Sequence, residues 1–183
     1  MHSFFVLLSF FTCLNYSGDQ KTYGTSSGVI KFVSSRNSDV KAVNSLVNVS
    51  ITEAGDFTIR LQIRDFRFEM GEMEEHFNRE YLESHKYPGA SFVGKIAGLQ
   101  KIDLTKPGVH KVQAEGEMTI HNVAKKLVVP GTLQIERNFI HLRSRFIIDI
   151  EDYKIDTGLG GIIIGDRMEI EVIARCQYPI NPR

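Results

Sequence analysis

The sequence predicts an all-β fold: an eight-stranded antiparallel up-and-down barrel, apolar inside, with a short helix packed on it. A two-sheet β-sandwich is the alternative. Three observations predict this. Apolar and polar residues alternate with a period of two through most of the chain after Gly24. Turn signals divide the alternating runs at Glu53-Ala54-Gly55-Asp56, Lys106-Pro107-Gly108, Pro130-Gly131 and Arg137-Asn138. Each clear strand has one apolar and one charged face, and such a sheet must close on itself or be covered.

The chain has 183 residues, enough for one domain with a sizeable core. Its first part stands apart. Residues 1–18 carry no Lys, Arg, Asp or Glu, and Phe4, Phe5, Val6, Leu7, Leu8, Phe10 and Phe11 form an apolar block. A bilayer-spanning helix needs about 20 apolar residues, roughly twice this block, so no integral membrane span is expected. The segment reads as a cleaved secretory signal peptide, with the mature chain beginning soon after Ser17. A lipid anchor on Cys13 and a buried N-terminal strand are the alternatives. Cleavage would remove Cys13 and leave Cys176 with no intrachain partner.

The barrel domain is expected over residues 19–183. A first strand is placed near residues 28–34 and a second near 40–51. The third is explicit: Phe57, Ile59, Leu61 and Ile63 alternate with Thr58, Arg60, Gln62 and Arg64. The period then breaks. Between Glu72 and Ser84, Met73, Phe77 and Tyr81 recur at steps of four, one face of a helix, and Lys86-Tyr87-Pro88-Gly89 ends it. A fourth strand falls near 90–98. In the fifth, Val112, Ala114, Gly116, Met118 and Ile120 alternate with Lys111, Gln113, Glu115, Glu117 and Thr119. The sixth and seventh lie near 124–136 and 139–150. The stretch from Asp152 to Gly165 is rich in Gly and Ile and reads as a loop at the barrel mouth. In the eighth strand, Met168, Ile170, Val172, Ala174 and Cys176 share the apolar face.

Composition narrows the function. Lys+Arg and Asp+Glu both number 22, so no basic excess exists to neutralise phosphates, and nucleic-acid binding is not expected. Two cysteines do not make a disulfide scaffold. The inward-facing set places Gly94, Ala114, Gly116, Ser144 and Ala174 among Phe32, Ile59, Leu61, Phe92, Met118, Ile120, Phe146 and Ile170. Small lining residues leave room for one ligand in an eight-stranded barrel; the alternative is that small and large residues alternate to fill the taper.

Motifs that would carry chemistry fail. A dinucleotide fingerprint from Gly158 needs Gly where Ile163 stands, and a Walker loop ending at Gly165 needs Lys where Asp166 stands. Gly89 to Gly94 has one residue too many for a nucleophile elbow around Ser91. Glu72, His76 and Glu80 share a helix face but supply too few ligands for a metal without a second contributor. His110, His121 and His141 fall on three different segments. No nucleophile–base set emerges. The expectation is a non-enzyme with no metal and no cofactor.

Two segments carry a family resemblance. The run Met73-Glu74-Glu75-His76-Phe77-Asn78-Arg79-Glu80-Tyr81 through Lys86-Tyr87-Pro88-Gly89-Ala90-Ser91-Phe92 resembles the central signature of the YceI-like family. Glu117-Met118-Thr119-Ile120-His121-Asn122-Val123-Ala124-Lys125-Lys126 resembles its second signature, with Asn122 where Gly is usual and Ala124 in place of Thr. The opening Ser27-Gly28-Val29-Ile30-Lys31-Phe32 and the region from Phe146 to Ala174 also fit, although the usual aromatic first strand is missing or degraded near Tyr23. The resemblance implies a lipocalin-like antiparallel barrel, exported to the periplasm or otherwise out of the cytoplasm. Its interior would bind a long isoprenoid or a similar amphipathic lipid. It implies no catalytic residues. The expected lining is the large apolar set above, with His121, Lys125 and Lys126 as head-group candidates at the rim. An envelope stress or assembly factor with a filled barrel is the alternative function, and an enzyme acting on an isoprenoid or haem-like ligand a third. The expected partner is an isoprenoid or other lipid-like ligand; a homodimer is left open.

Overall fold

A computed structural model describes residues 20–156 and 165–178. The expected signal segment, and most of the Gly/Ile-rich loop with its glycine motif, lie outside the described residues. Strands β1 (Thr22–Ser34), β2 (Lys41–Thr52), β3 (Asp56–Gln62), β4 (Arg67–Phe68), β5 (Gly89–Ile96), β6 (Gly108–Ile120), β7 (Val123–Glu136), β8 (Phe139–Asp149) and β9 (Arg167–Gln177) form one sheet. Leaving aside β4, each strand pairs antiparallel with its neighbours in sequence, and β1 pairs with both β2 and β9. The strand order therefore closes on itself into an eight-stranded up-and-down barrel, which leaves no strand at a sheet edge. The sandwich is excluded.

Alternation drives the closure. In β3, Phe57, Ile59 and Leu61 are buried, while Arg60 and Gln62 between and after them face solvent. The same holds along β8 and β9, where Ile140, Leu142, Ile148, Met168, Val172, Ala174 and Cys176 point inward. One turn explains a departure from the family pattern. His121 and Asn122 join β6 to β7 with φ of 51° and 58°. Both central residues are left-handed, as a two-residue type I′ hairpin requires, and Asn accepts that conformation best after Gly.

Three details differ from the sequence reading. Strand β1 starts at Thr22, well before residue 28. Its early part is polar and interrupted by register shifts between Thr25 and Ile30, so the period of two is lost there. Tyr23 lies in it, buried, with its ring 5.7 Å from that of Tyr178. Pro130-Gly131 is not a turn but lies within β7. The helix is shorter than Glu72–Ser84: α1 spans Gly71–His76 and passes into a π-helical turn, Phe77–Tyr81. Its N-terminus has no side-chain cap, and Glu83, at φ 41°, ends the segment.

The two ends of the barrel differ. At one end the β5–β6 connection tucks in Leu99 and Leu104, and Gln100 donates to the Ala54 carbonyl at 2.7 Å. The other end is crossed by a strap, residues 63–88, containing β4, α1 and the π-helical turn. β4 pairs with Ala42 and Val43 of β2. The Glu74 carboxylate ties β4 to α1 by accepting from Arg67 Nη1 and the Phe68 N–H, each at 3.2 Å.

One seam of the barrel is incomplete. β7 and β8 pair only from Thr132↔Arg143 to Glu136↔Phe139. Beyond Gly131 the main-chain ladder stops, although β6–β7 and β8–β9 continue. Pro130 accounts for the start of the gap. The Gln113 carbonyl, opposite Pro130, accepts from Ala97 on the far side of β6, so the polar edge of Pro130 faces β8. Proline has no N–H to offer there. A 3₁₀ turn, Glu151–Tyr153, packs against both strands lower in this seam.

Candidate functional site

Inside the barrel lies a cavity of about 180 Å³, lined by mostly apolar residues of every barrel strand except β2, together with Val40 just before β2 and the strap. Phe32, Ile59, Leu61 and Phe92 line it, as do Met118, Ile120, Phe146 and Ile170. The polar groups among the lining residues are the hydroxyls of Ser91, Ser144 and Tyr81. A volume near 150 Å³ accepts benzene, so this conformation holds a ring-sized apolar group and little more. A longer chain requires the walls to part.

The strap closes one end of the cavity with aromatic rings. Phe77 lies 5.6 Å from Phe32, 5.7 Å from Phe66 and 5.0 Å from Phe68, centroid to centroid. Met73 and Tyr81, one helical turn to either side, also face the cavity, so the four-residue spacing does mark an inward face. Phe66 and Phe68 lie outside the lining expected from the sequence. Their own alternation with Arg67, directly after β3, was the available signal.

The small residues divide. Ala114 and Ser144 line the cavity. Gly94 and Gly116 do not create room. They face each other across β5 and β6. A Cβ on Gly94 would lie 2.2 Å from the Glu115 carbonyl oxygen, and one on Gly116 would lie 2.8 Å from Phe92 Cζ. These glycines admit close backbone approach and the Phe92 ring. Ala174 is buried but does not border the cavity.

The head-group candidates separate. His121 is 12% exposed and held on three sides. Its Nε2 is 3.2 Å from Glu83 Oε2, its Nδ1 is 3.4 Å from the Tyr153 carbonyl oxygen, and its ring meets Tyr87 edge-on at 4.4 Å. Lys125 shares the inward side of β7 with Val123 and Leu127, and its Nζ donates to Asp152 Oδ1 at 2.9 Å. Lys126 lies on the outer side, opposite Glu117. His121 and Lys125 thus meet the same 3₁₀ turn at the strap end, while Lys126 faces away. Tyr153 of that turn is 1% exposed, its hydroxyl has no hydrogen-bond partner, and burial and then Asp152 push its pKa up to about 12.

The remaining reactive groups do not assemble into a centre. His76 pairs with Glu80 at 3.0 Å, and His141 with Glu136 at 3.2 Å, on separate surfaces. Among the described residues no three His, Cys, Asp or Glu side chains converge as metal ligands. Cys176 is fully buried, and burial pushes its thiol up to about 12. No described helix is long and apolar enough to cross a membrane.

The fold has solved counterparts. A polyisoprenoid binding domain from Saccharophagus degradans, implicated in plant cell wall breakdown, superposes with a TM-score of 0.75 at 13% identity, covering 86% of this chain and 98% of that one. BcnA from Burkholderia cenocepacia gives 0.68 at 18% identity, covering 82% and 96%. A YceI protein from Campylobacter jejuni gives 0.60 at 16%, covering 73% and 81%. No curated protein matches the sequence. The YceI-like domain matches residues 16–175, and with both signatures, the closed barrel and the strap in place, the chain belongs to the YceI-like family.

Proposed function

We propose that this protein binds an amphiphile with a long isoprenoid-like chain inside the barrel and catalyses no reaction on it. The apolar cavity carries the reading: an interior lined by Phe, Ile, Leu and Met with almost no polar groups suits a hydrocarbon chain. Each methylene moved from water into it contributes about 0.8 kcal/mol, so a few isoprene units offset the cost of association. The polyisoprenoid binding domain of Saccharophagus degradans, which shares the barrel, supports the choice of chain. Export belongs to the same proposal. Its support is the charge-free apolar segment of residues 1–18.

The test is organic extraction of the purified protein followed by mass spectrometry. A stoichiometric polyprenyl lipid is the expected result. An empty barrel that also fails to take up a prenyl probe would reject the proposal and favour a factor acting through protein contacts. N-terminal sequencing of the secreted or envelope fraction checks export; a chain beginning at Met1 there rejects cleavage.

A further inference from the structure

The unpaired seam between β7 and β8 has a shallow pocket on its outer face, bordered by charged and polar side chains. It is lined by Lys111 and Gln113 of β6, Thr132 of β7, Arg143 and Arg145 of β8, and Glu171 of β9. Lys111, Thr132 and Arg143 stand in one row across three strands, paired in register. Arg145 is held by Glu169 and Glu171, each at 3.2 Å, and Glu171 also meets Lys31 at 3.6 Å. Lys111 and Arg143 have no ion-pair partner among the described residues. The pocket therefore presents two uncompensated cations beside hydrogen-bonding groups.

This pocket and the inner cavity share Val112, Pro130, Gly131 and Ser144 as a common wall. At that point the main-chain ladder has ended, and one side-chain bond replaces it: Ser144 Oγ donates to the Pro130 carbonyl at 2.6 Å. Gly131 places no side chain in the wall; the nearest atoms a Cβ there would meet are Arg143 O, Val112 and Leu142 at 3.4–3.8 Å. The lips of the seam are apolar on the outside as well. Extending the β7–β8 register past Thr132↔Arg143 sets Val128 opposite Ile147, and both are more than half exposed. A chain passing from outside to inside here meets hydrocarbon along its path, while a charged end meets Lys111 and Arg143.

We propose that this seam is a lateral portal, with the outer pocket holding an anionic oxyacid head group, phosphate or carboxylate, while the attached chain runs between β7 and β8 into the cavity. A planar guanidinium and an ammonium suit such a head. The inference rests on the binding function proposed above and moves the head group away from His121, Lys125 and Lys126.

The test compares farnesol with farnesyl phosphate, two probes sharing one chain, on the delipidated full domain. Wild type is expected to bind the phosphate about tenfold more tightly. Lys111→Gln with Arg143→Gln should erase that preference and leave farnesol binding unchanged; both side chains are exposed, so folding is retained. Lys125→Gln with Lys126→Gln should keep the preference. Equal binding of both probes by wild type, or a preference lost only in the Lys125/Lys126 variant, overturns the portal and leaves the lipid-binding function standing. Failure of both probes overturns that function and the portal with it. Inorganic phosphate that binds as tightly as farnesyl phosphate also overturns it, because the pocket would then serve a free anion.

Discussion

The Nε2 of His121 lies 3.2 Å from Oε2 of Glu83, joining the β6–β7 turn to the strap across 38 residues of sequence. Lys86 pairs with the other oxygen of the same carboxylate. These two bonds, the lysine's being the larger influence, hold the Glu83 carboxyl below its ordinary value of 4.5. A carboxylate whose pKa is depressed on folding contributes stability above its unfolded pKa and loses it as pH falls through the folded value. The strap should therefore loosen below about pH 4.5. Hydrogen exchange of the Leu82, Ser84 and Tyr87 amides, corrected for intrinsic rates, should speed up there. Glu83→Gln should exchange fast at neutral pH as well. Identical pH profiles for the two proteins would remove Glu83 as the strap's anchor.

Two glycines of the wall should respond oppositely to the same added methyl group. At Gly94 a Cβ would lie 2.2 Å from one backbone atom and 2.5 Å from another, neither able to retreat without parting β5 from β6. At Gly131 its nearest neighbour is 3.4 Å away. Gly94→Ala is expected to cost about 3 kcal/mol or more, the upper part of the overpacking range, while Gly131→Ala costs well under that. Urea unfolding of the pair decides. Equal costs would contradict the close approach at Gly94.

Cys176 should be inert in the native protein. It has no exposed surface, and burial pushes its thiol up to about 12, so almost no thiolate exists to attack a disulfide reagent. Ellman's reagent in mildly alkaline buffer should find it only after denaturation. Reaction at the native rate of a free thiol would show that β9 opens far more readily than its pairing implies.

Phe92 tests whether the cavity wall behaves as filled core. The tip of its ring occupies the space a Cβ on Gly116 would need, its centroid lies 5.7 Å from that of Phe57, and it borders the cavity. A fully packed Phe→Ala change costs about 3–5 kcal/mol, and a ring partly facing empty space should fall at the lower end. Binding of a fluorescent prenyl probe should weaken in parallel. A full core-sized loss of stability with unchanged probe binding would remove Phe92 from the ligand's path.

The parts legible in the sequence were those governed by local period. Phe57, Ile59 and Leu61 declare their strand because one face of it meets water and the other does not. The same rule extends to the site: Val123, Leu127 and Val129 fix the inward side of β7, which already places Lys126 outside. Two kinds of feature escaped. Pro130-Gly131 reads as a turn by composition, yet the sheet tolerates it, because Pro130 occupies a position whose missing N–H points into the open seam. The contacts around His121 join residues far apart in sequence, and no local pattern announces them. Nearness to a turn marks His121, Lys125 and Lys126 in the sequence; the cations of Lys111 and Arg143 become neighbours only once β6, β7 and β8 lie side by side.

Phe77 offers the sharpest test of the strap as the cavity's end wall. Its ring contacts Phe32, Phe66 and Phe68, and such aromatic pairs are worth about 0.5–1.5 kcal/mol each beyond the area they bury. Phe77 is only partly buried, so Phe77→Ala should cost about 2–3 kcal/mol, less than a central core truncation. Phe77→Leu keeps most of the volume and should cost about half as much. The functional consequence differs in kind. Removing the ring lengthens the cavity toward the strap without changing its mid-section at Leu61 and Phe92. A longer prenyl probe should then gain affinity relative to a shorter one in Phe77→Ala, and gain much less in Phe77→Leu. Titrating both variants with farnesyl and geranylgeranyl probes measures this directly. If stability falls while the chain-length preference stays that of the wild type, the strap is a structural brace, and the end of the ligand lies elsewhere.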